Sequence, residues 1–200
     1  MNGKMVNGEN IHSSNVAHLL FTLYHLPIVM NQPSILVAGI GNIFLGDDAF
    51  GCEVVKRLTE RTWPDNVRVV DFGIRGFDLA YALLDGNDVT IFVDATPRGE
   101  TPGTLYTIEP ELDEIESIDA SGMVDAHSMN PMKVLSMVKS MGGQFKKILL
   151  VGCEPATFGP EEGQMGLSGP VEAAVDPAAA VVESLVNKLC KETVSRATYE

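Results

Sequence analysis

Positive charge is scarce in this chain: 14 Lys and Arg stand against 27 Asp and Glu, a formal net charge of −13. Such a surface repels phosphate backbones and anionic lipid, so nucleic acid and membranes are not expected partners. The same field favours cations or a basic polypeptide segment. Cysteines are few and odd in number, Cys52, Cys153 and Cys190, with no CxxC or zinc-ribbon spacing. A disulfide framework is therefore not expected, and reduced thiols point to the cytoplasm. Long apolar runs are missing too. Val16 to Met30 is broken by His18 and His25, falls short of the about 20 residues a membrane span needs, and lacks the basic start and cleavage site of a secretory signal. Neither HExxH nor GxSxG occurs, which leaves zincin and serine-hydrolase chemistry without support.

What is there is a globular composition, 45% hydrophobic over 200 residues, enough for one domain with a sizeable core. The opening MNGKMVNGENIHSSN is polar and aperiodic. Residues 1–33 are read as a leader, disordered or non-native, ahead of a single α/β domain over 34–200.

From Ile35 onward, short apolar runs alternate with helix-period segments. This predicts a three-layer α/β sandwich, a twisted and largely parallel sheet with helices on both faces. Strands are expected at Ile35 to Ile40, Val67 to Asp71, Val89 to Val93 and Lys147 to Gly152. TLYTI at Thr104 to Ile108 alternates as an edge or antiparallel strand does. Helices are expected from about Ala49 to Arg61, Phe77 to Leu84 and Met129 to Met141. A final helix is expected over Pro170 to Lys191, interrupted at Pro177. Between Glu109 and Asp125 lie seven acidic residues and no basic one, a segment expected to be solvated or to guide a basic partner.

Chemistry gathers at the strand ends. ILVAGIGNIFLGDDAFG carries Asp47 and Asp48 just after the first strand, IFVDATP carries Asp94 at the end of the third, and a polar loop presents His127. Open α/β sheets collect their sites at the carboxyl ends of strands, so these residues are positioned to converge. Two carboxylates and an imidazole, each at roughly 2.0–2.2 Å, suit zinc or another first-row divalent ion and leave positions open for water or substrate. Each residue also has a plainer use: Asp48 as a helix cap, Asp94 as a turn acceptor, His127 as a surface histidine. Asp47 cannot readily face the same way as Asp48, and is expected to orient a loop. Gly39-Ile40-Gly41-Asn42 invites a dinucleotide reading, but the third glycine position holds Phe44, and an acidic pair at a helix start repels pyrophosphate. A thiol nucleophile built from Cys153 and His127 is a further alternative.

These motifs together, GIGNIFLGDDAFG, DFGIRGFDLAYALL, IFVDATPRGETPGTLYTIEP, DAHSMNP and LLVGCEP, resemble the nickel–iron hydrogenase maturation proteases over about Ile35 to Leu189. The resemblance implies an endopeptidase that trims the C-terminal extension of the immature, nickel-loaded hydrogenase large subunit. It also implies that Asp48, Asp94 and His127 engage a divalent metal, nickel supplied by the substrate, with no nucleotide cofactor. Their part in hydrolysis is left open: the metal polarises the scissile carbonyl, or it only positions the peptide while a carboxylate such as Asp47 is the general base. The Gly73 to Gly76 turn and the acidic loop are natural rims for the peptide. The alternative is a non-catalytic nucleotide- or metal-binding α/β assembly module.

Overall fold

Six apolar or small residues in a row, Ile35–Ile40, form β1, and every one of them is buried. A strand of that kind has to be covered on both faces. The computed structural model describes residues 32–110, 131–160 and 162–196. The expected leader, apart from Gln32 and Pro33, lies outside them, as do the acidic loop beyond Pro110 and His127.

The element order is β1, a 3-10 turn at Gly46–Ala49, α1 (Phe50–Thr59), β2 (Val67–Gly73), α2 (Gly76–Leu84), β3 (Val89–Ala95) and β4 (Leu105–Ile108). It continues with α3 (Pro131–Ser140), β5 (Ile148–Cys153) and α4 (Gly169–Arg196). The five strands lie in the order β2-β1-β3-β5-β4. All pairings are parallel except that of β4, which runs antiparallel to β5 at the edge.

Side chains alternate across the sheet and so build two cores. Ile35, Val37 and Ile91 face α1 and α4, packing with Val54, Leu58, Val175 and Val182. Leu36, Ala38 and Phe92 face α2 and α3, packing with Leu79, Leu83, Leu135 and Val138. The expected three-layer α/β architecture is the observed one.

Two boundaries differ in ways that matter for the site. β3 runs two residues further than expected, to Ala95, so Asp94 is part of the ladder, opposite Gly152 of β5. The expected interruption at Pro177 does not occur, and α4 continues through it. Proline removes one amide donor and crowds the carbonyl of Ala173, yet Ala174, Val175, Ala178 and Val182 on either side of it are all buried against the sheet. Tertiary packing holds the helix through a locally unfavourable residue.

Among the described residues no helix is long and apolar enough to cross a membrane.

Candidate active site

The glycines around the first strand have a steric explanation. A Cβ on Gly51 would stand 2.1 Å from the Val93 carbonyl oxygen and 2.2 Å from that of Ile40, and one on Gly39 would stand 2.6 Å from the Gly51 carbonyl oxygen. The first turn of α1 therefore lies directly on β1 and β3, an approach only glycine allows. Gly41, at φ +138, would put a Cβ 1.7 Å from the Asp48 carbonyl oxygen. These contacts fold the β1–α1 connection tightly back and bring Asp48 beside β3. The backbone there packs against protein, and the helix start is acidic, so the dinucleotide reading has no support in this geometry.

Asp48 and Asp94 line one cavity of about 420 Å³ at the carboxyl edge of the sheet. Its polar side holds the two carboxylates and Thr96, and its floor is apolar, built from Phe92, Leu135 and Leu150. Asp48 is half-buried and accepts a hydrogen bond from the Asn42 amide at 2.7 Å. It makes no helix-capping bond, so the plainer use anticipated for it is not what the chain does with it.

The electrostatics of the pair are unfavourable to charge. Burial pushes the Asp94 carboxyl well above the usual range, and the neighbouring Asp48 charge pushes it further, with only the Ala95 amide easing it. Burial also raises Asp48, against the Asn42 amide. A cation between them would reverse both effects, since an opposite charge favours the ionised form of each group. The described residues contain no group of three His, Cys, Asp or Glu able to hold a metal, so they supply two donors of the expected set. The third, His127, falls in 111–130. Pro110 and Pro131, on the two sides of that segment, both line the same cavity.

Asp47 does something else. It is fully buried, and its carboxylate accepts from the amides of Ala156 at 2.7 Å, Thr157 at 3.0 Å and Ser168 at 2.6 Å, and from the Ser168 hydroxyl at 2.9 Å. Burial alone would raise its pKa, but these four bonds outweigh it and hold the carboxyl below its ordinary value. This is the expected loop-orienting role. Asp47 is not among the residues lining the cavity, and Oδ2 takes three of its four hydrogen bonds and Oδ1 one, so these contacts lend its expected use as a general base no support.

Glu154 is a site residue that sequence reasoning passed over. It follows β5, is nearly fully buried, and accepts from the Tyr106 hydroxyl at 2.5 Å, the Arg98 amide at 2.7 Å and the Gly99 amide at 3.1 Å. Its hydrogen bond to Tyr106, with the two amides, keeps it ionised below the usual range, while burial and that same bond push the Tyr106 hydroxyl up to about 12. The Arg98 guanidinium lies 5.4 Å from the centre of the Tyr106 ring. The network fastens the β3–β4 connection, whose Thr96 and Pro97 form one wall of the cavity. The signal available in sequence was a carboxylate directly after a buried apolar run, as Asp94 follows Val89 to Val93.

Cys153 is wholly buried, its thiol pushed up to about 11 by burial and then by the charges of Asp47 and Glu154. It is a core residue, and the thiol-nucleophile alternative is set aside. Cys52 is likewise buried and raised to about 12.

A mostly parallel α/β sheet, with two carboxylates lining one cavity beside a tight strand-to-helix turn, defines an α/β protein whose candidate site lies at the carboxyl edge of the sheet. The family model for hydrogenase maturation protease matches residues 52–185. The hydrogenase 2 maturation protease of Escherichia coli is 31% identical over 166 residues, covering 80% of this chain and 98% of that protein. The solved structure of the hydrogenase maturating endopeptidase HybD from Escherichia coli superposes with a TM-score of 0.61 at 30% identity, covering 77% of this chain and 92% of that one. A hydrogenase 2 maturation peptidase from a Thaumarchaeota archaeon gives 0.58 at 32% identity, over 76% and 97%. The chain belongs to the hydrogenase maturation protease family, and its reaction class is hydrolysis of peptide bonds.

Proposed function

We propose that this peptidase removes the C-terminal extension of a nickel–iron hydrogenase large subunit, and that nickel already loaded into that precursor is its recognition element. The observation carrying the reading is the shared cavity of Asp48 and Asp94, two carboxylates whose ionised forms are disfavoured until a cation arrives. His127, on the segment whose flanks line that cavity, is the third donor. Two carboxylates and an imidazole leave coordination positions for the precursor's own ligands, so discrimination between loaded and unloaded precursor rests on the metal the substrate brings. No nucleotide takes part.

Hydrolysis adds water across the scissile amide, giving a new carboxylate and a free amine. Asp48 and Asp94, the described carboxylates that line the cavity, would hold the cation there, where it could polarise the scissile carbonyl and ease loss of a proton from the water. Unpaired thiols at Cys52, Cys153 and Cys190 fit a cytoplasmic enzyme.

The test is to incubate the protein with nickel-loaded and nickel-free precursor and follow the precursor's mass. Loss of a C-terminal peptide from the loaded form alone is expected. Equal cleavage of both forms would remove nickel from the reading. Binding without any mass change would favour the assembly module instead.

A further inference from the structure

Of eight large apolar side chains exposed among the described residues, six form one stripe beside the cavity: Met165, Phe44, Ile43, Ile74, Phe77 and Tyr81, between 43% and 72% exposed. Their continuity follows from the fold. Ile43, Phe44 and Ile74 line a single groove of about 240 Å³ between the β1–α1 and β2–α2 connections. Phe77 and Tyr81 are one helical turn apart on α2, whose other side buries Leu79, Ala80 and Leu83. At the far end, the Gln164 amide donates to the Phe44 carbonyl at 2.8 Å and its carbonyl accepts from the Gly46 amide at 2.7 Å, which brings the segment carrying Met165 alongside the β1–α1 connection.

The size of the stripe decides what it is. With about 150–250 Å² per large apolar side chain, six at these exposures present roughly 700 Å². That exceeds the largest apolar patch of an ordinary monomer, about 300–600 Å², and approaches the about 800 Å² that one partner contributes to a specific interface. Arg75, which lines the groove, pairs with Asp78 at 3.2 Å and donates to the Asp71 carbonyl. Asp71 lines it too, its carboxylate accepting from the Gly73 amide at 2.9 Å, so the groove is an apolar surface edged by one carboxylate.

We propose that this stripe is the docking surface for the folded body of the precursor polypeptide, holding it while the metal-bearing segment reaches Asp48 and Asp94. The proposal rests on the reading given under Proposed function. Position selects this occupant. Asn42 belongs to the groove and its amide bonds the Asp48 carboxylate, so the stripe adjoins the site. A precursor seated on the stripe gains that contact and the contact at the site at once, which a second copy of this chain does not. The division of labour is then plain: the cavity inspects the metal and the stripe supplies affinity.

The experiment is steady-state processing of folded, nickel-loaded precursor by the double variant Phe77→Ser, Tyr81→Ser, with Phe44→Ser as an independent variant in a loop and Met141→Ser, an exposed apolar residue at the end of α3, as control. The expected result is KM raised about tenfold or more in both stripe variants, kcat within about twofold of the parent, and no change in the control. Unchanged KM in both stripe variants overturns the proposal. So does a parent dimer that the stripe variants dissociate without loss of processing, which would assign the surface to self-association. A parent protein that neither binds nor cuts the precursor overturns the function itself, an outcome distinct from a defect confined to the stripe variants.

Discussion

Asp47 and Ser168, 121 residues apart in the chain, are joined twice: the Ser168 amide donates to Oδ1 at 2.6 Å and its hydroxyl to Oδ2 at 2.9 Å. With the amides of Ala156 and Thr157 on the same carboxylate, one buried side chain fixes the β1–α1 turn against the whole 156–168 connection. Asp48, the next residue, takes its direction from that anchor.

Asp47→Asn therefore tests architecture more than chemistry. The amide keeps the size but loses the charge and turns a donor toward donors, so a loss of about 3 kcal/mol is expected in urea denaturation at neutral pH. The sign with pH follows from a folded pKa below the unfolded one. The contribution is present above the unfolded value of about 3.9 and lost as pH falls through the folded value. The variant should accordingly show a shallower acid limb than the parent.

Gly51→Ala and Gly86→Ala separate close approach from backbone conformation. At position 51 the new methyl meets two backbone carbonyl oxygens at 2.1 and 2.2 Å, which cannot yield without lifting α1 from the sheet. At position 86, with φ +80, nothing lies within 4 Å. Denaturation midpoints should show a loss of at least about 3 kcal/mol for the first and about 1–2 kcal/mol for the second.

Asp94→Asn should stabilise the free protein while abolishing processing. A carboxyl raised above its unfolded value costs stability once pH exceeds that unfolded value, and costs nothing where both states are protonated. The variant's advantage in urea unfolding should be clear at pH 7 and fade as pH drops below about 4. An advantage that does not change between the two pH values would refute the upward shift of the Asp94 carboxyl by burial and the Asp48 charge.

His127→Ala should leave the circular dichroism spectrum and urea midpoint unchanged and stop cleavage of nickel-loaded precursor. Normal processing by this variant would remove His127 from the site. Asp48→Ala should likewise stop cleavage, with precursor binding weakened only where nickel is present.

Much of this was legible from local pattern. Ile35–Ile40 and Val89 to Val93 announced a doubly covered parallel sheet, and the position of Asp48 and Asp94 at strand ends placed both at one edge. What escaped depended on partners far away in sequence. The loop-orienting use of Asp47 was foreseen, but not its partners Ala156, Thr157 and Ser168, which fold onto it. Glu154 became a clamp because Tyr106 and the Arg98 and Gly99 amides arrive from the β3–β4 connection. Pro177 misled because propensity is local, whereas the helix around it is held by Ala174, Val175 and Ala178 in the core. Gly39 and Gly41 invited a dinucleotide reading that Phe44 and the acidic pair already spoke against; the close approach of β1 and α1 that they and Gly51 serve could not be read from spacing alone.

The placement of β5 has a consequence for biosynthesis. This strand is the fifth to leave the ribosome, yet it lies between β3 and β4, and the anchor of the acidic turn waits for residues 156–168. A nascent chain not yet extended past Gly152 has Asp48 and Asp94 in hand but neither the Glu154 clamp nor the donors that anchor Asp47. A finished site waits for residues 154–168.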